Sequence, residues 1–291
     1  VSAPGTETAA PRAFAPKTLR DAIEILADPD LGAIPVAGCT DVLVVDAATR
    51  RTHRAVVDLL RIPELRGIRE EADALDIGAA CTFSEIQANE TIRREFPILA
   101  EVASTIGGWQ IQNRATLGGN IANASPAGDS LPVLLALDAE LRLAGPAGER
   151  TIPYTEMHVG YRKTALGPGE LIVRARLPRQ RRPEVQLFKK VGTREAQAIS
   201  KVVVAFSASR QNGCLERVRL AAGSVAEVPV RLRAAEEACE GKLPDPETAR
   251  TAGAAARGEV RTIDDVRSTA AYRAFVLERI VRRMVLQASS R

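Results

Sequence analysis

The chain has 291 residues, 45% hydrophobic and 26% charged, with a formal net charge of +4. That is enough apolar sequence for a sizeable core divided into two or three domains, in an ordinary globular composition. The 40 basic residues are scattered and aromatics make up only 3%, which excludes a basic patch interleaved with stacking rings and with it nucleic-acid binding. The four cysteines (Cys39, Cys81, Cys214, Cys239) form no C-x-x-C pair, and the only histidines are His53 and His158. This argues against a metal site, an iron–sulfur cluster or a disulfide scaffold, and points to a reducing cytoplasm. No apolar run reaches the length of a membrane span.

Residues 1–16, rich in Ala, Pro and Thr, lack the order of a signal peptide and read as a flexible leader. Thr18 is placed to cap a helix to Ala27, with Leu19, Ala22, Ile23 and Leu26 on one face. Residues 33–37 read as a buried strand leading through Gly38-Cys39-Thr40-Asp41 into a helix, and 55–59 as a second strand, giving a compact β/α unit. A second region opens near Ile68, with a strand at 74–79. Thr82-Phe83-Ser84-Glu85 has the form of a capping box before a helix to about Glu95, with Ser84 as an alternative cap. Helices are predicted at 97–105 and 131–137, and strands at 139–143 and 150–152 around a Gly-Pro-Ala-Gly turn. Residues 178–183 read as a linker. Strands follow at 186–190, 202–209 and 217–224, the last two joined by Asn212-Gly213, then helices at 230–240, 246–257 and 270–288.

The most informative stretch is 115–132, Ala-Thr-Leu-Gly-Gly-Asn-Ile-Ala-Asn-Ala-Ser-Pro-Ala-Gly-Asp-Ser-Leu-Pro. Adjacent Gly118 and Gly119 let main-chain N–H groups approach an anion and form a nest, while Thr116, Asn120, Asn123, Ser125 and Asp129 offer directional hydrogen bonds. The same composition also makes ordinary turns. The earlier loop, Pro35-Val36-Ala37-Gly38-Cys39-Thr40-Asp41-Val42, joins strand to helix, where N–H groups and the helix terminus favour a pyrophosphate. A one-glycine turn of this kind is common, and the signal lies in the pair of loops.

Together, A-G-x-T-D near residue 40 and T-L-G-G-N-I near residue 118 resemble the two flavin-binding signatures of the FAD-binding medium subunit of molybdenum hydroxylases, the xanthine dehydrogenase and carbon monoxide dehydrogenase group. The likeness continues through residues 124–129, Gly-Tyr-Arg-Lys-Thr at 160–164, Phe188-Lys189-Lys190 and Arg194-Glu195. It covers nearly the whole chain after residue 12 and looks closest to the xanthine dehydrogenase branch. It implies an α+β architecture: a two-part FAD-binding domain of the vanillyl-alcohol-oxidase (PCMH) type at 12–66 and 67–180, after a leader at 1–11, then a small α+β domain with an antiparallel sheet and helices at 181–291.

Carried over residue by residue, the resemblance implies FAD contacts from Pro35, Val36, Ala37, Gly38, Cys39, Thr40, Asp41 and Val42, and from Thr116, Leu117, Gly118, Gly119 and Asn120. Asp129, Ile172 and Lys189 match further flavin-contacting positions, and Ile106 stands where animal relatives have an aromatic beside the isoalloxazine. Lys189 either stabilises negative charge on the reduced ring or is a solvated strand residue. Tyr161 either lies over the flavin edge or packs in the core. Trp109 is expected in core or interface packing, Arg162 and Lys163 in solvent, and His158 in a structural place. Three departures stand out. Cys39 replaces the glycine usual in bacterial relatives and is expected to be a buried packer. Ala196 and Gln197 replace acidic residues, which weakens NAD as acceptor. The cysteine-rich loop of some relatives is missing.

The resemblance implies an electron-transfer subunit. A purine, aldehyde or other heteroaromatic is hydroxylated at a molybdenum cofactor on a large subunit. Electrons pass through 2Fe–2S clusters on a small subunit to FAD here, then to NAD, a quinone, oxygen or another acceptor, in a dimer of heterotrimers. No residue of this chain is expected to be a catalytic acid, base, nucleophile or metal ligand. Two alternatives remain: a self-contained FAD-dependent oxidase or reductase, and a flavin-free assembly subunit.

Overall fold

Three sheets organise the chain, and the computed structural model describes residues 12–49, 53–180, 182–194 and 197–289. The first sheet is parallel, with β3 (Ala55–Asp58) between β1 (Arg12–Phe14) and β2 (Ala33–Val36). Parallel strands need crossovers, supplied here by α1 (Leu19–Ala27) and α2 (Val42–Thr49). Thr18 caps α1 by accepting from the Asp21 N–H at 3.1 Å, a contact worth about 1 kcal/mol. β1 corrects the expected extent of the leader, because Arg12–Phe14 pair with β3; residues 1–11 lie outside the described residues.

The second sheet is antiparallel, in the order β4 (Ile68–Glu70), β5 (Ala74–Gly78), β10 (Leu171–Pro178), β6 (Glu140–Gly145), β7 (Gly148–Pro153). Its central strand, β10, has no counterpart among the predicted strands. Arg174 breaks the apolar pattern there, yet it is 1% exposed and donates to four main-chain carbonyls, of Glu64, Arg66, Gly67 and Asp76. Those bonds offset the cost of burying a guanidinium and stitch the 64–67 turn to the sheet.

Short helices cover this sheet: α3 (Phe83–Ala88), α4 (Glu90–Glu95), α5 (Pro97–Ser104), α6 (Trp109–Gln112), α7 (Leu117–Asn123) and α8 (Ser130–Ala136). Thr82, not Ser84, forms the capping box with Glu85. The single helix predicted to Glu95 is two, because the Asn89 side chain accepts from the Ile92 N–H and starts a new one. All seven residues of α8 are buried, as befits a helix enclosed on every side. A small hairpin, β8 (His158–Gly160) and β9 (Lys163–Thr164), precedes β10.

The third sheet, β11 (Val185–Val191), β12 (Val202–Gln211), β13 (Cys214–Gly223) and β14 (Val230–Arg231), is antiparallel. Side-chain alternation divides β11 cleanly. Val185 and Leu187 join a core with α9 (Arg233–Cys239), α10 (Pro246–Glu259) and α11 (Ala270–Gln287), whereas Phe188 packs on the core of the second sheet with Ala205 and Ala221. The third sheet is thus clasped between its own helices and the preceding domain. No helix among the described residues is long and apolar enough to cross a membrane.

Candidate cofactor cleft

The first wall of the cleft is where β2 ends. Leu59 N–H donates to the Val36 carbonyl at 2.9 Å, holding the strand end against the turn after β3. The chain then turns sharply through Gly38 and Cys39 into α2. Cys39 has φ +60, a left-handed conformation that favours glycine. Among the described residues, no group accepts from the main-chain N–H of Gly38, Cys39, Thr40 or Asp41. A run of free N–H groups at the start of a helix is an arrangement suited to an anion. Cys39 is half-buried, not the buried packer expected of it, and its thiol donates to the Ala37 carbonyl at 3.4 Å.

The second wall is the N-terminal end of α7 against the turn at 79–81. Here the structure corrects the expectation of an open glycine nest. The Gly118 N–H donates to the Ala79 carbonyl at 2.8 Å, and the Gly119 N–H to Thr116 Oγ1 at 3.1 Å. Thr116 winds 117–123 into a helix, so these amides are satisfied inside the protein. The glycines serve close approach instead. A Cβ on Gly118 would sit 2.6 Å from the Ala79 Cβ and 2.8 Å from its carbonyl oxygen, whereas one on Gly119 would meet only Thr116 Oγ1, at 2.9 Å. Gly119 is exposed, and a side chain there would press on the Thr116 hydroxyl that caps α7.

The two motifs, nearly eighty positions apart in the chain, touch. A Cβ on Gly38 would lie 1.9 Å from the Arg114 carbonyl oxygen. Between them runs a cleft bounded by Pro35, Val36 and Ala37 on one side and by Thr116, Gly118 and Gly119 on the other, with Ile172 also in its lining. Leu65, held by the bonds of Arg174, and Ala80 contribute apolar surface that sequence patterning did not single out. Glu170 is the one ionised side chain in the lining.

Other expected contacts lie elsewhere. Cys39, Thr40, Asp41 and Val42 continue from the first wall into α2 without lining the cleft. Leu117 is core, and Asn120 Oδ1 accepts from Ser130 Oγ at 2.7 Å. Ile106 packs, partly buried, on the core beside the second sheet. Tyr161 is 61% exposed and Trp109 81% exposed, so neither packs in the core. Lys189 is exposed on the face of β11 opposite Lys190, with no partner among the described residues. Gln197 lies beside Gly108, and Glu195 and Ala196 fall outside the described residues.

Asp129 is buried, accepting from Lys190 Nζ at 2.6 Å and from Ser200 Oγ. Burial raises its pKa above the ordinary carboxylate value, against the opposing pull of Lys190 and Ser200. Lys190 also donates to the Thr105 carbonyl at 3.0 Å. Sequence reading left Lys189 either beside the flavin or solvated on its strand; the side chain that faces the domain junction is that of its neighbour Lys190. His158 is structural: its Nε2 lies 2.9 Å from the Tyr154 hydroxyl, and burial lowers its pKa to about 4. Among the described residues no cluster of His, Cys, Asp and Glu has the makings of a metal site.

The description "FAD binding domain in molybdopterin dehydrogenase" matches residues 9–180, and "CO dehydrogenase flavoprotein C-terminal domain" matches 186–288. The chain belongs to the family of FAD-binding medium subunits of molybdenum hydroxylases. It is 32% identical over 273 residues to the xanthine dehydrogenase FAD-binding subunit of Escherichia coli O157:H7, covering 93% of each chain. It superposes on a chain of carbon monoxide dehydrogenase from Hydrogenophaga pseudoflava with TM-score 0.90 and 30% identity, covering 94% of this chain and 95% of that one. Quinoline 2-oxidoreductase from Pseudomonas putida 86 gives TM-score 0.90 at 28% identity, covering 97% of each.

Proposed function

We propose that the cleft holds FAD and that the chain is the electron-transfer subunit of a molybdenum hydroxylase. The observation that carries this is the meeting of the two motifs: free N–H groups of the Gly38–Asp41 turn stand beside a glycine-faced, largely apolar groove. The turn takes the diphosphate, with N–H donors and the start of α2 favouring negative charge. Thr116, Gly118 and Gly119 form the wall along the ribityl chain, and Ile172 packs against the ring. Asp129, Ile106, Tyr161 and Lys189 belong to the wider surroundings. Bound flavin supplies the one- and two-electron redox chemistry, while the protein supplies binding, orientation and electrostatic tuning.

In this reading a small subunit with 2Fe–2S clusters delivers the electrons, and a large molybdenum subunit hydroxylates a purine or another heteroaromatic or aldehyde substrate. An external acceptor, NAD, a quinone or oxygen, removes the electrons, and the assembly is a dimer of heterotrimers. Four free thiols suit a reducing cytoplasm. The division at 12–66, 67–180 and 181–291 is supported by the confinement of each sheet to one of these segments. The test is the visible spectrum of the purified chain and its co-purification with two further subunits. A colourless protein that takes up no FAD and still assembles with them would favour the flavin-free alternative, for which the strained Cys39 is the one observation.

A further inference from the structure

We propose that Arg150 is a positioning residue of the cleft. It engages both oxygens of Glu170, which hides the carboxylate that faces the ligand and fixes segment 165–170 as a wall. The inference rests on the FAD reading above and deepens it.

Arg150 lies on β7, the edge strand of the second sheet. Its Nε reaches Glu170 Oε1 at 2.7 Å and its Nη2 reaches Oε2 at 2.8 Å, the paired geometry in which guanidinium and carboxylate bind best. The same Nη2 donates to the Ala165 carbonyl at 2.9 Å, and the Gly167 N–H donates to Glu170 Oε2 at 2.9 Å. The Arg150–Glu170 pair thereby gathers both ends of the segment. The hydrogen bond from Arg150 is the main effect that lowers the Glu170 pKa below the ordinary carboxylate value.

The segment lines the cleft and abuts α1. Leu166 and Glu170 line the cleft. Gly169, at φ +70, lies so close to α1 that a Cβ would stand 3.1 Å from the Cα and Cβ of Ala27. A bare carboxylate here would repel the anionic diphosphate through a poorly solvated groove. Arg150 cancels that charge from the outer side, without itself lining the cleft.

The experiment measures the FAD dissociation rate of the full-length chain, following the rise in flavin fluorescence on release, for wild type, Arg150→Gln, Glu170→Gln and the double variant. Arg150→Gln is expected to release FAD about tenfold faster, because it leaves Glu170 charged and unpaired. Glu170→Gln alone should stay within about threefold of wild type, since the amide keeps an acceptor for Arg150. Adding Glu170→Gln to Arg150→Gln should restore most of the lost retention, a rescue that a role for Arg150 through the Ala165 carbonyl alone would not give. Arg150 is 45% exposed but Glu170 only 11%, so Arg150→Gln should also lower the thermal midpoint of the flavin-free chain, and release rates are compared well below every midpoint. A wild-type chain that binds FAD beside an Arg150→Gln variant that retains it equally well, or a double variant without rescue, would overturn the clamp alone. A wild-type chain that takes up no FAD would overturn the cofactor reading and this one with it.

Discussion

Lys190 and Asp129 meet at 2.6 Å across the junction between the cleft domain and the C-terminal sheet. Asp129 ends the 124–129 loop that follows α7, and Lys190 stands on the face of β11 turned toward it. The loop is anchored a second time, where the Ser224 N–H donates to the Pro126 carbonyl at 2.8 Å. The C-terminal domain therefore holds the segment that continues directly from the glycine motif.

Removing one partner of a buried pair leaves the other uncompensated, at a cost of about 3–5 kcal/mol. Lys190→Met should destabilise the chain by that order, whereas Lys189→Met, on the exposed face, should change stability by about 0.5 kcal/mol or less. The pH dependence has a definite sign. Burial already raises the Asp129 pKa, and without Lys190 only the Ser200 hydroxyl opposes it. The unfolded carboxyl then loses its proton at lower pH than the folded one, so stability of Lys190→Met falls as pH rises above the carboxylate range. Denaturant midpoints across pH check this; a variant whose stability is flat or rises there would contradict it.

The three glycines divide by what a side chain would strike. Gly118→Ala and Gly38→Ala drive a Cβ into Ala79 and into the Arg114 carbonyl, and each should cost stability by about 1–3 kcal/mol. Gly119→Asp meets only a cap hydroxyl, so its carboxylate enters the groove. The chain should stay folded and lose FAD. Thermal melts paired with flavin-to-protein ratios separate the two classes, and stoichiometric FAD in Gly119→Asp would remove the glycine from the cleft wall.

Cys39 occupies a left-handed conformation at about 1–2 kcal/mol. Cys39→Gly should retain or improve FAD affinity, and β-branched Cys39→Val should weaken it. Burial pushes Cys81 up to about 11 and Cys239 up to about 12, so alkylation near neutral pH should spare both. Cys39 should react, and added FAD should protect it. Peptide mass mapping with and without FAD measures this; labelling of Cys39 at the same rate in both states would separate it from the cofactor.

His158 contributes a pH dependence of the opposite sense to Lys190→Met. Its folded pKa is about 4, below that of the unfolded chain, so acidification from about pH 6.5 protonates the unfolded state first. Stability should therefore drop on acidification through that window, by up to about 3 kcal/mol from this group. His158→Gln keeps an acceptor for Tyr154 and should flatten the profile between those limits. An unchanged slope would show that other groups govern it.

Local chemistry made much of the architecture readable. Thr18, Thr82 and Asn212-Gly213 announced two helix starts and a hairpin because caps and tight turns depend on a few adjacent side chains. The two glycine motifs pointed to the family for a similar reason, since close backbone approach admits few residues. Placement was different. β10 was hidden because Arg174 is tolerated in a central strand only through carbonyls contributed by residues about a hundred positions away. Whether Gly118 offers its N–H or spends it on Ala79, and whether Lys189 or Lys190 is buried, depends on which distant segment packs alongside. Sequence by itself determined most of the elements, the two motifs and the family, all carried by neighbours along the chain. Only tertiary structure decided which amides remain free, which lysine meets Asp129, and that Arg150 closes on Glu170, because those contacts exist only once separated segments share one space.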